Sequence, residues 1–268
     1  MMRMPFVAGI AGTALGCMLY STDVQAQVTP EHIAGAQAVI NSQISDNGRY
    51  ITYGLTAPGD PKKENVPTSV QLYLLNDQTN EQKPYYTGTS VSQIAHRPGK
   101  GTITFITRQK DEKTNAIYEI DPNGGEARKL YSFTSNIAGY SWSNDGNQIA
   151  FVAVERPEGP KTPLTYKPKF FEEDFNERNG YIVNIADNTS PKKINVEGAV
   201  YMMQWSPDNK KLAISVAPTS SVDDSYMAQA VKIADAQNGN IIAHIDNKGK
   251  LGQIAWSPDG NTLALVAG

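Results

Sequence analysis

The sequence predicts an all-β protein, a β-propeller of four-stranded antiparallel blades, and three observations predict it. A short signature recurs as Trp142-Ser143-Asn144-Asp145-Gly146, Trp205-Ser206-Pro207-Asp208-Asn209 and Trp256-Ser257-Pro258-Asp259-Gly260, each followed by an apolar run. Two degenerate copies precede these, Ile44-Ser45-Asp46-Asn47-Gly48 and His96-Arg97-Pro98-Gly99. Measured from Ile51, Ile103, Ile149, Leu212 and Leu263, the first apolar residue after each turn, the intervals are 52, 46, 63 and 51 residues, which is the length of a propeller blade. The third observation is composition: 40% hydrophobic and 19% charged residues, with 22 Gly and 16 Pro, suit a chain with a core and many tight turns.

The elements follow in order. Arg3 precedes an uncharged run from Phe6 to Tyr20, and Val24-Gln25-Ala26 supplies a small-x-small cleavage pattern, so residues 1–26 read as a secretory signal peptide. The run is shorter than the roughly 20 residues that cross a bilayer, so no transmembrane span is expected and the mature protein is expected in the periplasm or outside the cell. Cys17, after Ala14-Leu15-Gly16, offers lipid attachment as the alternative. It is the one cysteine of the chain, and His32, His96 and His244 lie too far apart for a zinc motif. Neither a metal nor a cofactor is expected.

The propeller is expected over 27–268. Pro30 opens a helix-compatible stretch to about Val39. Anchors then fall near 44–53, 96–105, 142–152, 205–216 and 256–266. In each turn Asp or Asn can bond its own backbone, and Gly accepts the left-handed conformation. The tryptophans are expected to pack between sheets, since a large aromatic at a fixed place in every repeat is a core feature. The outer strands follow: Gln71 to Leu75 and Pro84 to Thr87, then Ala116 to Asp121 and Ala127 to Tyr131. Tyr181 to Ile185 and Lys192 to Val196 come next, then Met227 to Ala234 and Ile241 to Ile245. Pro122 to Gly125 and Asn238-Gly239-Asn240 mark two of the hairpin turns. The long third interval holds an insertion, 155–180, whose Pro157, Pro160, Pro163 and Pro168 exclude a ladder strand.

At about 53 residues per interval, the region holds about four and a half blades, so an incomplete ring is expected, with further blades beyond Gly268. A closed four-bladed ring with a surplus hairpin is the alternative. Charge excludes one class of partner. With 24 Lys+Arg against 27 Asp+Glu, the net charge of −3 offers no basic field for nucleic acid.

The Trp-Ser-Pro-Asp-Gly repeat resembles that of TolB-like propellers and of the N-terminal domain of the prolyl oligopeptidase family of serine peptidases, in its dipeptidyl-peptidase and acylaminoacyl-peptidase branches. Thr29-Pro30-Glu31-His32, the third-blade insertion and Asp223-Asp224-Ser225-Tyr226-Met227 opening a fourth-blade strand tilt the resemblance towards the peptidases. It implies a propeller that gates or binds peptides above a C-terminal α/β-hydrolase domain carrying the catalytic Ser, Asp and His. No catalytic residue is expected in this chain. The nearest string to the Gly-x-Ser-x-Gly elbow, Gly139-Tyr140-Ser141-Trp142-Ser143, is a blade anchor. The resemblance also points to Glu172 and Glu173 in the insertion as a carboxylate pair for a substrate's N-terminal amine. A solvated acidic turn between aromatics is the plainer reading of the same residues. Asp223 and Asp224 read as solvated strand-end carboxylates rather than a cation site. A TolB-like protein-binding scaffold without chemistry is the alternative function.

Overall fold

The computed structural model describes residues 28–60, 62–63, 66–156, 165–166, 175–187, 190–247 and 249–268. The leader, Cys17, Glu172 and Glu173 lie outside them. After a short helix α1 (Pro30–Ala34), the chain forms four antiparallel four-stranded meanders and a final hairpin. Blade 1 is β1 (Val39–Ile44), β2 (Tyr50–Ala57), β3 (Ser69–Asn76) and β4 (Glu81–Tyr86). Blade 2 is β5 (Ser92–His96), β6 (Ile103–Thr107), β7 (Ala116–Ile120) and β8 (Arg128–Ser132). Blade 3 is β9 (Asn136–Trp142), β10 (Gln148–Glu155), β11 (Glu177–Asn184) and β12 (Lys192–Lys193). Blade 4 is β13 (Ala199–Trp205), β14 (Lys211–Ala217), β15 (Ala230–Asp235) and β16 (Ile241–Ile245), with helix α2 (Val222–Met227) between its middle strands. The hairpin is β17 (Leu251–Trp256) with β18 (Leu263–Ala267).

The core sits between the blades. One cluster joins Leu72 and Leu74 to Ile103 and Phe105, and a second joins Ile106 and Ile117 to Trp142 and Phe151. A third joins Val152 and Ile182 to Trp205 and Ile214, and a fourth joins Val231 and Ile233 to Ile254. Burial of each such aliphatic or aromatic side chain contributes about 1.5–3 kcal/mol, so the stack of faces, and not any single sheet, holds the fold. Among the described residues no cluster joins the hairpin back to blade 1. The outer faces are correspondingly open, with Val39 and Ile44 on β1 and Val266 on β18 all more than 60% exposed. The described blades thus form an open run, not a closed four-bladed ring.

The inner strands share a feature that the sequence does not announce. Each carries a bulge three or four residues before its Trp or substitute, between Ile40 and Gln43, Ser92 and Ala95, Ile137 and Gly139, Val200 and Met202, and Leu251 and Ile254. Such a bulge adds twist and re-aims the side chains it carries.

Four expectations need correction. The first helix ends at Ala34, five residues early, because Val39 already begins β1. Asp223 to Met227 form α2 and not a strand: the Ser221 hydroxyl accepts from the Asp224 amide at 3.1 Å, an N-cap that starts a helical turn. β15 starts only at Ala230. The ladder between β10 and β11 runs through Glu155 opposite Glu177, so 155 and 177–180 belong to the sheet and not to the insertion expected over 155–180. Finally, β12 is two residues long because the chain then crosses to blade 4, with the Asn195 amide donating to the Gly239 carbonyl at 2.9 Å.

Blade contact also fixes one glycine. Gly146 has φ +66°, and a Cβ there would collide with the Pro98 carbonyl of the preceding blade. Gly48 has a similar φ, +69°, with open space around it. Gly146→Ala is therefore expected to lose about 1–3 kcal/mol and Gly48→Ala clearly less, as read from urea unfolding midpoints. Equal losses would remove the interblade part of this account.

Candidate functional site

The meander gives each blade two edges, and they differ in kind. One edge carries the short turns of the repeat, the other the long connections between second and third strands. The predicted anchors all lie on the short-turn edge. Ser143 donates to Asp145 at 2.5 Å, Ser206 to Asp208 at 2.6 Å and Ser257 to Asp259 at 2.5 Å. The same serine oxygens accept from the amides of Gln148, Lys211 and Thr262, each at 2.9 Å. The serine–aspartate clasp thus closes the turn on both sides. Gly146, Asn209 and Gly260 occupy its left-handed position, with φ of +66°, +60° and +68°.

The three indoles tie the blades together. Trp142 donates to Thr104 Oγ1 at 3.0 Å, Trp205 to the Ser141 carbonyl at 3.2 Å and Trp256 to the Gln204 carbonyl at 3.2 Å, each in the preceding blade. His96 takes the indole's place in blade 2 and reaches Thr52 Oγ1 through Nε2 at 3.2 Å. Arg97 lies over the Trp142 ring and donates from Nε to the Gly146 carbonyl at 2.8 Å. Its partner is Glu119, which is buried and also accepts from Arg128 and from Thr102 at 2.6 Å. These groups are engaged with one another and form framework. A polar cleft of about 370 Å³ lies between the turns of blades 1 and 2, lined by Asp46, Arg49, His96, Lys100 and Asp121 among others.

Titration follows from the clasp. The hydroxyls of Ser143, Ser206 and Ser257 hold Asp145, Asp208 and Asp259 below the usual carboxylate range, helped by the amides of Asn147, Lys210 and Asn261. Because the folded pKa lies below the unfolded one, their contribution is present above about pH 4 and is lost as pH falls further. Burial pushes the His96 imidazole down, so the fold also loses stability once pH drops below about 6.5, where the unfolded histidine gains its proton. The melting temperature is expected to fall in acid, with the His96→Gln variant flattening the segment between pH 6.5 and 5. An unchanged profile in that variant would contradict the assignment.

The long connections lie on the other edge, and there the structure assembles groups that the sequence reading passed over. Glu155 and Glu177 end β10 and β11 and face each other across the ladder. Like charges so placed repel, and Asn179 bridges them by donating to Glu155 at 2.5 Å and Glu177 at 3.1 Å. Tyr181 donates to Glu155 at 3.0 Å, and burial, with that bond, pushes its phenol up to about 12. Tyr181 in turn stacks on Phe151 within an aromatic group that includes Phe133 and Tyr131. The strand ends that flank the insertion are therefore packed and hydrogen-bonded to each other. Blade 4 braces them, since the Ser220 hydroxyl before α2 donates to the Asn176 carbonyl at 2.6 Å. Alternation could have found these strand ends: Glu177, Asn179 and Tyr181 share one parity with Glu155 opposite. Glu172 and Glu173 lie outside the described residues. No helix among the described residues is long and apolar enough to cross a membrane.

Comparison with known proteins agrees with this architecture. No family model matches the chain. A dipeptidyl-peptidase 5 from Porphyromonas endodontalis is 26% identical over 145 residues, 53% of this chain and 20% of that protein. An acylaminoacyl peptidase from Pyrococcus horikoshii superposes with a TM-score of 0.56 at 12% identity, over 80% of this chain and 33% of that one. TolB from Acinetobacter baumannii superposes with a TM-score of 0.52 at 16% identity, over 78% of this chain and 43% of that one. The chain thus spans about a fifth of the curated relative and a third of the peptidase. At these identities the structural likeness establishes the fold alone: the chain carries the blade architecture of the acylaminoacyl-peptidase and TolB propellers.

Proposed function

We propose that this chain is the exported propeller region of a prolyl-oligopeptidase-type serine peptidase, which binds or gates peptides and leaves hydrolysis to a separate α/β-hydrolase domain. The observation that carries the reading is the asymmetry of the two edges. Short clasped turns lock one edge, while the other bears the insertion between β10 and β11 and the α2 connection, joined by the Ser220–Asn176 hydrogen bond and flanked by packed strand ends. Long connections on a rigid scaffold are where propellers place binding residues. The similarity to a dipeptidyl-peptidase 5 supports the peptide class of ligand. Glu172 and Glu173 are the proposed carboxylates for a substrate's N-terminal ammonium, which two carboxylates bind by charge-assisted hydrogen bonds. Residues 1–26 are the proposed export signal.

A TolB-like scaffold that docks a protein partner is the second reading, favoured by the comparable superposition on TolB. The encoding locus separates the two. A reading frame that continues past codon 268 into further Trp-Ser-Pro-Asp repeats and a Gly-x-Ser-x-Gly elbow is the expected result. A frame that closes without them would overturn the peptidase reading in favour of the scaffold.

A further inference from the structure

The foot of the insertion holds an arginine that pairs with no carboxylate among the described residues. Arg178 follows Glu177 on β11 and, by strand alternation, projects to the opposite side of the sheet from Glu177, Asn179 and Tyr181. It meets β13 of blade 4. Its Nε donates to the Val200 carbonyl at 3.1 Å, and its guanidinium carbon lies 4.3 Å from the centroid of the Tyr201 ring. Tyr201 is the extra residue of the β13 bulge, set between the pairs Val200–Val216 and Met202–Ser215. The bulge recurs in all five inner strands, but the corresponding positions hold Asn41, Gln93, Ala138 and Gly252, so only here does it present an aromatic platform.

Charge bookkeeping sets Arg178 apart from its counterparts. Arg97 and Arg128 both pair with Glu119, whereas Arg49, Arg108, Arg156 and Arg178 pair with no carboxylate among the described residues, and of these four only Arg178 is half-buried. Burial pushes its guanidinium pKa down, which means that the charge is held where water solvates it poorly. With Nε committed to a carbonyl and the guanidinium set against the ring, no described residue takes the outer edge of the two terminal nitrogens. That edge matches the two oxygens of a carboxylate, and its single charge matches a monoanion.

We infer that Arg178 and Tyr201 form a carboxylate site at the junction of blades 3 and 4, on the edge that bears the insertion, and that it takes the carboxylate of a short peptide. This rests on the reading of that edge as peptide-binding. The carboxylate comes either from the peptide's C-terminus or from an Asp or Glu side chain.

Calorimetry on the full chain with three peptides that keep a free N-terminal amine tests it: trialanine as the free acid, the same peptide as its C-terminal amide, and that amide with Asp in the last position. The free acid is expected to bind at least 10-fold more tightly than the alanine amide. Recovery of affinity by the Asp amide identifies a side-chain carboxylate as sufficient, and its failure assigns the site to the C-terminus. Arg178→Gln is expected to weaken the free acid at least 10-fold and leave the amide unchanged, with Arg178→Lys intermediate because it keeps the charge and loses the fork. Equal binding of acid and amide by the native chain would overturn the carboxylate site and leave peptide binding intact, whether or not the variants fold. Absence of binding by all three would overturn both.

Discussion

Glu119→Ala is expected to lose about 3–5 kcal/mol of stability, because it strips a buried pair of one partner and leaves the other charged. Glu119 is 2% exposed, and the Arg97 side chain that it pairs with at 3.1 Å is 11% exposed. Arg97 also lies over Trp142 and donates to the Gly146 carbonyl, so an uncompensated charge there loosens the junction of blades 2 and 3. Arg128 contributes less, since its side chain is 70% exposed and water screens it. Glu119→Gln keeps the size and an acceptor and is expected to lose less than Glu119→Ala. Urea unfolding with an unchanged m-value checks both, and a loss below about 1 kcal/mol for Glu119→Ala would contradict the burial argument.

Trp205→Ala is expected to be as severe, at about 3–5 kcal/mol. The indole is 5% exposed within the cluster between blades 3 and 4. Its removal opens a cavity and also deprives the Ser141 carbonyl of a donor. Trp256→Ala is expected to lose less, because that ring is only partly buried at the open end of the run. If the tryptophans were ligand contacts instead, truncation would change binding and leave the unfolding midpoint in place.

The repeat was legible because its chemistry is local. Ser143, Asp145 and Gly146 make a turn whose hydrogen bonds stay within six residues, and the same bonds reappear at Ser206 and Ser257. Strand alternation and Asn-Gly turns located most of the outer strands for the same reason. The helix α2 was misread because the apolar and polar residues around Met227 suit a strand as well, and the decisive contact is a single cap by Ser221. The foot of the insertion was missed because Glu155, Glu177 and Arg178 look like surface residues in sequence. Their meaning comes from which residue stands opposite and from a bulge in another blade, and neither can be read from one strand. Ile44 illustrates the converse: it occupies the tryptophan position of blade 1, yet stands 65% exposed because no described blade covers it.

Two edges with different tasks are the centre of this account, one locking the blades and the other proposed to meet the ligand. Hydrogen exchange of the full chain, with and without a saturating free-acid peptide, tests that division directly. Added protection is expected in 152–156, 175–181, 200–203 and 218–229, with none in the turns at 143–147, 206–210 and 257–261. Protection confined to those turns would contradict it.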